Sequence, residues 1–243
     1  MFAIFTKELK DFFSSLTGYI SAIVFLLIIG LIMWVIPGDL NVLDSGYATL
    51  DSLFSIAPWV FLFLVPAVTM RTFSEEKRSG TIELILTRPI SDTQMVLGKF
   101  FASVVLVLII LIPALLFYLS VYLLGNPVGN IDTGGTWGSF IGLFFLASAY
   151  AAVGIFTSSL TDNQIVSFIL SMLLCFLLYT GLESLALLDA FSGIKYFLVS
   201  LSISEHYSSM SRGVIDTRDV VYFVALSALF LIFTRTKLES RKW

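Results

Sequence analysis

The sequence predicts an all-α polytopic membrane protein with six transmembrane helices, and composition supports this fold class. Of the 243 residues, 58% are hydrophobic and 13% are charged, and the mean hydropathy is +0.96. Soluble domains have about 45–50% apolar and about 25% charged residues. The net charge of −3 provides no basic face for a phosphate backbone. These values exclude a soluble enzyme, a disordered chain and a nucleic-acid binder.

Charge-free apolar stretches recur at the length of about 20 residues that a helix needs to cross the hydrocarbon core. Pro37-Gly38 closes the first stretch, and Gly125-Asn126-Pro127 closes the third. In the sixth and shortest stretch, Arg235 must extend its charged end to the membrane–water interface for the stretch to span. The predicted spans are residues 18–36, 53–70, 100–124, 139–160, 165–188 and 220–236.

Lysine and arginine residues predict the orientation, because cytoplasmic loops carry an excess of both. With six spans, eleven fall on one side: Lys7, Lys10, Arg71, Lys77, Arg78, Arg88, Lys99, Arg235, Lys237, Arg241 and Lys242. Three fall on the other: Lys195, Arg212 and Arg218. We therefore expect both termini in the cytoplasm.

Residues 2–13 have the pattern of an amphipathic helix at the membrane surface. Their apolar stripe has Lys7, Glu8, Lys10 and Asp11 mostly opposite to it. This pattern predicts an interfacial helix on the cytoplasmic leaflet. A short helix packed on its own bundle is the alternative, and both can hold together. The stripe consists of Phe2, Phe5, Leu9, Phe12 and Phe13.

The cytoplasmic loop of residues 71–99 is predicted to fold as a series of helices. Thr72 and Glu75 have capping-box spacing, which predicts a helix start at the exit of the second span. Gly80 ends that helix. Ser91 and Gln94 repeat the capping-box spacing before the third span.

Between these helices lies a short apolar-rich helix that Arg88-Pro89 stops. Its apolar residues either pack against the end of the bundle or dock a cytoplasmic partner, with charged neighbours setting the register. The candidate docking residues are Gly80, Thr81, Ile82, Glu83, Leu84, Ile85, Leu86 and Thr87. The supporting loop residues are Glu75, Glu76, Lys77, Arg78, Arg88 and Pro89.

On the predicted outer side of the membrane, residues 189–219 are too apolar to be a plain loop. Their apolar run is too interrupted to form a membrane-spanning helix. A pair of re-entrant half-helices in the outer leaflet fits this pattern, because irregular backbone at that depth must be sheltered by protein.

The sequence offers little catalytic chemistry. The chain has one Cys and one His, which excludes a cysteine metal cluster and most histidine-based sites. No G-x-S-x-G accompanies His206, and Gly98-Lys99 is followed by Phe100, so no phosphate-binding P-loop is present. We expect no catalytic residue, no metal and no cofactor bound by this chain. Glu75 and Glu76 are interpreted as a solvated loop face.

Secondary transport usually places ionisable residues within the spans. Only Glu183 qualifies, near the outer end of the fifth span. It is either an outer-gate carboxylate or an interface-level carboxylate bonded to the outer helices. Cys175 is interpreted as a small packing residue.

Two segments resemble ABC-2-type transporter permeases: residues 75–90, EEKRSGTIELILTRPI, and residues 211–222, SRGVIDTRDVVY. The resemblance covers essentially the whole chain. It implies the fold of a type V exporter, a coupling helix at Gly80–Thr87 and a place in the bacterial inner membrane. It also implies two copies of an ABC ATPase that hold ATP and magnesium, and a second permease subunit. Among such permeases, those of gliding motility imply a second permease with a large extracytoplasmic domain.

Three functions are compatible with the sequence. The chain is an ABC export permease, or a subunit of the same fold that transmits motion to an outer machine without transport, or a stand-alone channel or carrier that uses Glu183. The charge-free interiors of the spans favour the first two.

Overall fold

The structure is a computed structural model that describes residues 1–86 and 90–240, with the backbone alone described for Thr17, Leu84, Ile85, Leu86, Ala190 and Ser192. Every regular element in these residues is helical. Of the predicted docking segment, Thr87, Arg88 and Pro89 lie outside the described residues.

The α-helices in chain order are α1 Phe2–Ser14, α2 Leu16–Trp34, α3 Val42–Ser45, α4 Asp51–Thr69, α5 Arg71–Arg78, α6 Thr81–Leu86, α7 Asp92–Leu111, α8 Leu115–Leu124, α9 Thr133–Leu160, α10 Gln164–Phe176, α11 Leu182–Ala186, α12 Lys195–Ser200, α13 Ile203–Met210 and α14 Thr217–Glu239. A 3₁₀ turn at Ile112–Ala114 joins α7 to α8, and a π-helical turn at Leu177–Gly181 joins α10 to α11.

Five helical stretches in the described chain are long and apolar enough to cross a membrane. The number is six if Phe2–Ser14 and Gly18–Trp34, which are bent by 66°, form one span. The predicted all-α polytopic fold is confirmed. We call α2, α4, α7 with α8, α9, α10 with α11, and α14 spans 1 to 6.

Span 4 is the centre of the bundle. Of its most apolar 18-residue stretch, 78% is buried, against 22% in span 5. It packs against spans 2, 3, 5 and 6. Small residues such as Gly142, Ala147 and Gly154 line its buried faces, which lets neighbouring helices approach closely.

Several helices extend beyond the predicted spans, because side-chain caps start them in polar sequence. Asp132 caps span 4, which begins six residues before Ser139, and its Oδ1 accepts the Gly135 N–H at 3.0 Å. Asp216 starts span 6 in the same way and accepts the Arg218 N–H at 2.9 Å. Span 6, predicted to be the shortest, runs for 23 residues to Glu239.

The segment that follows span 5 contains two short helices, α12 and α13, where a pair of half-helices was predicted. Helix α13 buries Ile203, Tyr207 and Met210 and packs on span 4. Tyr196 on helix α12 is 90% exposed. We call the end of the bundle that contains α12 and α13 the outer end, after the predicted orientation, and these helices are attached there mainly through α13.

At the opposite end, which we call the foot, a second apolar cluster joins segments from the whole chain. Because the N-terminal helix, the loop after span 2 and the ends of spans 4 and 6 all contribute, these parts lie at one end of the bundle. The cluster consists of Ile4, Phe73, Ile82, Met95, Val96, Ile155 and Leu238.

Candidate functional site

The foot contains a buried lysine, Lys99, whose side chain is 1% exposed. Its Nζ donates to Oε1 of Glu8 and to the Thr72 carbonyl, both at 2.6 Å, and forms an ion pair with Oε1 of Glu76 at 3.0 Å. The ammonium also lies 4.9 Å from the ring centroid of Phe73. Lys99 therefore joins α1, α5 and span 3.

Glu76 receives a second cation from α1. Lys7 Nζ donates to Oε1 of Glu76 at 2.7 Å. Burial lowers the pKa of Lys7, but the hydrogen bond to Glu76 and the charges of Glu76, Glu8 and Asp11 outweigh it, so the pKa is raised. The interpretation of Glu76 as a solvated loop residue is wrong, because it is 7% exposed; Glu75 is exposed. We call Lys7, Glu8, Glu76 and Lys99 the foot ion cluster.

Helix α1 packs against the bundle on the side of Ile4 and Glu8. Ile4 is buried and Glu8 pairs with Lys99, whereas Lys10 and Asp11 are exposed. Gly98 permits this approach, since a Cβ there would lie 3.0 Å from the Met1 carbonyl oxygen. Of the phenylalanine stripe, Phe2 and Phe13 are exposed, while Phe5, Leu9 and Phe12 are half-buried.

The start of α5 is capped from another helix. The predicted capping box is wrong: no side chain of α5 caps its own start, and the Thr72 hydroxyl donates to the Thr69 carbonyl. Instead, Ser158 Oγ of span 4 accepts the N–H groups of Phe73 at 2.9 Å and Ser74 at 3.0 Å. The same hydroxyl donates to the Met70 carbonyl at 2.9 Å.

A second bond joins the other end of α5 to span 4, because Lys77 Nζ donates to the Ser159 carbonyl. The predicted cap at Ser91 is confirmed: its Oγ accepts the Gln94 N–H at 3.3 Å. The loop after span 2 is thus held between the ends of spans 3 and 4.

Helix α6 occupies the predicted docking segment and follows Gly80, which has a φ of +70°. In this left-handed conformation glycine avoids the strain of a Cβ. Ile82 is buried in the foot cluster, so for this residue the bundle-packing interpretation holds. Thr81 and Glu83 are exposed. The helix is therefore anchored by Ile82 and presents Glu83 on the surface of the foot.

The family model of the ABC-2 family transporter protein matches residues 5–234, nearly the whole chain. The chain belongs to this family. A comparison with curated protein sequences gave no match. As an ABC-2 family member, the chain is a transmembrane permease subunit of an ABC transporter, and the family implies association with an ABC ATPase. The predicted ABC-2 permease resemblance is confirmed at the level of the family.

At the outer end of this ABC-2 permease, Glu183 belongs to a hydrogen-bonded link between span 5 and α13. Ser204 Oγ donates to Oε2 of Glu183 at 2.7 Å, and Ser202 Oγ donates to the Tyr179 carbonyl at 2.8 Å. Glu183 is exposed. Its position matches a carboxylate bonded to the outer helices.

His206 of α13 makes the second outer link, which the sequence analysis missed. Its Nδ1 lies 2.7 Å from Oδ1 of Asp219 in span 6, and its Nε2 lies 3.0 Å from the Ser200 carbonyl oxygen. Both oxygens are acceptors, so a ring nitrogen that carries the hydrogen donates to the oxygen it faces. The ring also stacks on Tyr222 with centroids 3.8 Å apart.

Sequence reasoning also missed Lys99 and Ser158. Lys99 was counted only as a cytoplasmic charge, although it lies seven residues inside the helix that Ser91 starts. Two acidic residues on the same predicted side, Glu8 and Glu76, offered a signal for its partners. No signal marked Ser158, because its bonds to α5 depend on the packing of distant segments.

Proposed function

We propose that this permease couples ATP hydrolysis by a separate ABC ATPase to movement of a substrate across the membrane, and that α6 docks in the ATPase. The single observation that carries the proposal is the way α6 is held. Ile82 anchors it in the foot, Gly80 joins it to α5, and α5 is bonded at both ends to span 4. A force on α6 is therefore applied to the most buried helix of the bundle.

Several features support the docking geometry. Glu83 is exposed beside the anchored Ile82, where it can pair with a basic residue of the partner. Such exposed pairs contribute about 0–1 kcal/mol, so they set the register more than the affinity. Burial of a leucine side chain contributes about 1.5–3 kcal/mol. We therefore assign most of the affinity to the apolar residues that follow Glu83.

The proposed assembly has two ATPase copies, which hold ATP and magnesium, and a second permease subunit with a large extracytoplasmic domain. The chain lies in the bacterial inner membrane with both termini in the cytoplasm. The distribution of basic residues supports this orientation. The whole-chain resemblance to GldF, the permease subunit of the gliding-motility ABC transporter of Bacteroidota, supports a role in gliding.

An outer cavity favours transport. It has a volume of about 410 Å³ and lies between the outer ends of spans 2 and 4 and α13. Polar groups including Asp51, Ser55 and Ser139 line it together with Tyr179. A polar cavity of this kind suits a substrate that leaves the membrane interior.

A second candidate, mechanical transmission without transport, is favoured by a different contact. Met210 of α13 lies so close to Gly138 of span 4 that a Cβ on Gly138 would be 2.6 Å from the Met210 carbonyl oxygen. Span 4 thus joins the foot directly to the outer helices. The two functions are separated by measuring the transport of a labelled substrate after the outer partner has been removed. A subunit that only transmits motion moves no substrate.

Co-purification of a co-expressed ABC ATPase tests the docking proposal. We expect Leu84→Asp to release the ATPase while the permease stays folded and inserted, because a charge opposes burial in the ATPase cleft. Glu83→Ala is expected to weaken retention slightly. The control, Glu239→Ala, changes a half-buried residue of the C-terminal segment that pairs with Arg235 of the same helix, and it is expected to retain the ATPase.

Permease abundance in the membrane and thermal stability are measured for each variant. Normal ATPase retention by both Leu84→Asp and Glu83→Ala would show that α6 only packs against the bundle. ATP hydrolysis is expected to require the ATPase subunit, and robust hydrolysis by the purified permease alone would contradict the assignment of subunits.

A further inference from the structure

A cleft lies between α1 and the ends of spans 2 and 3, beside the foot ion cluster. Its volume is about 380 Å³. At one end it is lined by charged residues of α1 and α5, among them Arg71 and Glu75. At the other end its walls are apolar, with Ala67 and Val68 of span 2 and Leu106 of span 3. The cleft therefore changes from polar to apolar in the direction that runs into the bundle.

Two buried polar atoms of the cleft lack a hydrogen-bond partner within residues 1–86 and 90–240. One is Oε2 of Glu76, whose Oε1 binds both Lys7 and Lys99. The other is Nε of Arg71. Buried polar groups are nearly always paired, so each of these atoms indicates a missing partner. The carboxylate needs a donor, and the guanidinium needs an acceptor.

The charges around the cleft do not balance. The cations are Lys7, Arg71 and Lys99, and the carboxylates are Glu8, Asp11, Glu75 and Glu76. Four carboxylates against three cations leave one negative charge in excess. A ligand with only a negative group would meet Arg71 but would be repelled by the carboxylates. A ligand that carries both a cation and an anion can pair with the carboxylates and with Arg71.

We propose that this cleft binds the headgroup of a zwitterionic aminophospholipid of the phosphatidylethanolamine type. The primary ammonium lies at Glu76 and Glu75, and the phosphate lies at Arg71. The acyl chains follow the apolar walls formed by Val68 and Leu106. A primary ammonium fits the site because its N–H groups donate to carboxylates, which a trimethylammonium group cannot do.

The position of the cleft favours a membrane lipid over a soluble zwitterion. Arg71 directly follows span 2, and the cleft opens beside α1, whose phenylalanine stripe is typical of an interfacial helix. The charged end thus lies at headgroup level and the apolar end within the span. A bound lipid would contact α1 and α5 together and so support the helix that carries α6. This inference does not depend on transport or on the ATPase.

Competitive lipid retention by the full chain tests the proposal. The protein is placed in nanodiscs with equal amounts of phosphatidylethanolamine, phosphatidylcholine and phosphatidylglycerol and then extracted into detergent. The lipids that remain on each chain are counted by native mass spectrometry. We expect phosphatidylethanolamine to be retained at least about tenfold over the other two, which is the value of one charge-assisted hydrogen bond.

Matched variants of α5 and α6 identify the site. Arg71→Gln is expected to reduce retention about tenfold, whereas Arg78→Gln removes the same charge outside the cleft and is expected to have no effect. Glu75→Gln is expected to act like Arg71→Gln, with Glu83→Gln as its control. Arg71→Lys keeps the charge and is expected to restore most of the retention, which separates lipid loss from misfolding.

Equal retention of the three lipids would overturn the proposal, as would equal effects of Arg71→Gln and Arg78→Gln. Soluble phosphoethanolamine is added in a separate arm. Displacement of the lipid by this headgroup at micromolar concentration would also overturn it, because the apolar walls would then contribute nothing to binding.

Discussion

The two ends of the bundle are held together by different interactions. At the foot, a buried ammonium group joins three segments through charge-assisted bonds, and Ser158 caps a helix from a distant part of the chain. At the outer end, hydroxyl–carbonyl bonds, one His–Asp pair and close contacts at glycine join α13 to spans 4, 5 and 6. The foot thus depends on charge compensation, and the outer end depends more on close packing.

Because of this difference, the two ends are expected to respond differently to substitutions. A buried charge that loses its partner is costly, because the remaining charge is still desolvated. A close backbone contact fails instead when atoms are added. Removal of a group should therefore damage the foot most, while addition of a group should damage the outer end most.

The largest effect is expected for Lys99→Met at the foot. It removes the buried cation between Glu8 and Glu76, of which Glu76 keeps its bond to Lys7. The loss of one partner of a buried pair costs up to about 3–5 kcal/mol. Thermal unfolding of the purified permease, together with hydrogen exchange of α1 and α5, measures it. Exchange in α13 is expected to change much less.

Lys10→Met, which removes an exposed lysine of α1, is the control for this prediction and is expected to be nearly neutral. Addition of Glu8→Gln to Lys99→Met is expected to recover part of the loss. If Lys99→Met is as stable as Lys10→Met, the foot is not held by its ion cluster.

An intermediate effect is expected for Gly138→Ala at the outer end. The new methyl group would lie 2.6 Å from the Met210 carbonyl oxygen and 3.1 Å from Cα of Gly213, so backbone must move. Overpacking of this kind costs about 1–3 kcal/mol. Hydrogen exchange is expected to rise in α13 and to stay unchanged in α5.

Gly193→Ala adds the same methyl group where nothing lies within 4 Å, and it is expected to be neutral. Equal stability of the two alanine variants would show that α13 is not held by close contact with span 4.

The smallest of the three effects is expected for Ser158→Ala, which tests the link between α5 and span 4. The variant removes the acceptor of the Phe73 and Ser74 N–H groups, and loss of a helix cap costs about 0.5–2 kcal/mol. Ser148→Ala is the matched control, because within residues 1–86 and 90–240 Ser148 Oγ bonds only to the Phe144 carbonyl of its own helix. Hydrogen exchange at Phe73 and Ser74 is expected to increase in Ser158→Ala alone. Unchanged exchange there would contradict the capping role.

The sequence by itself determined the all-α polytopic fold, because a chain that crosses lipid must satisfy every backbone group within its helices. It also determined the short helix after Gly80, where a glycine and the residues around it act locally. The cap at Ser91 is local too, since its bond to Gln94 spans three residues. Predictions of this kind succeed where the deciding interaction lies within a few positions of the chain.

Only the tertiary structure decided which polar groups are buried and what they contact. Lys99 lies 91 residues from Glu8, and Ser158 lies 85 residues from Phe73. Thr72 fails as a cap for the same reason: Ser158 of span 4 accepts the N–H groups at the start of α5, and the Thr72 hydroxyl donates to the Thr69 carbonyl at the end of span 2. A charged or hydroxyl side chain can form its bonds with any segment that folding brings near. The local sequence therefore shows that such a side chain is present, but it does not show which group the side chain contacts.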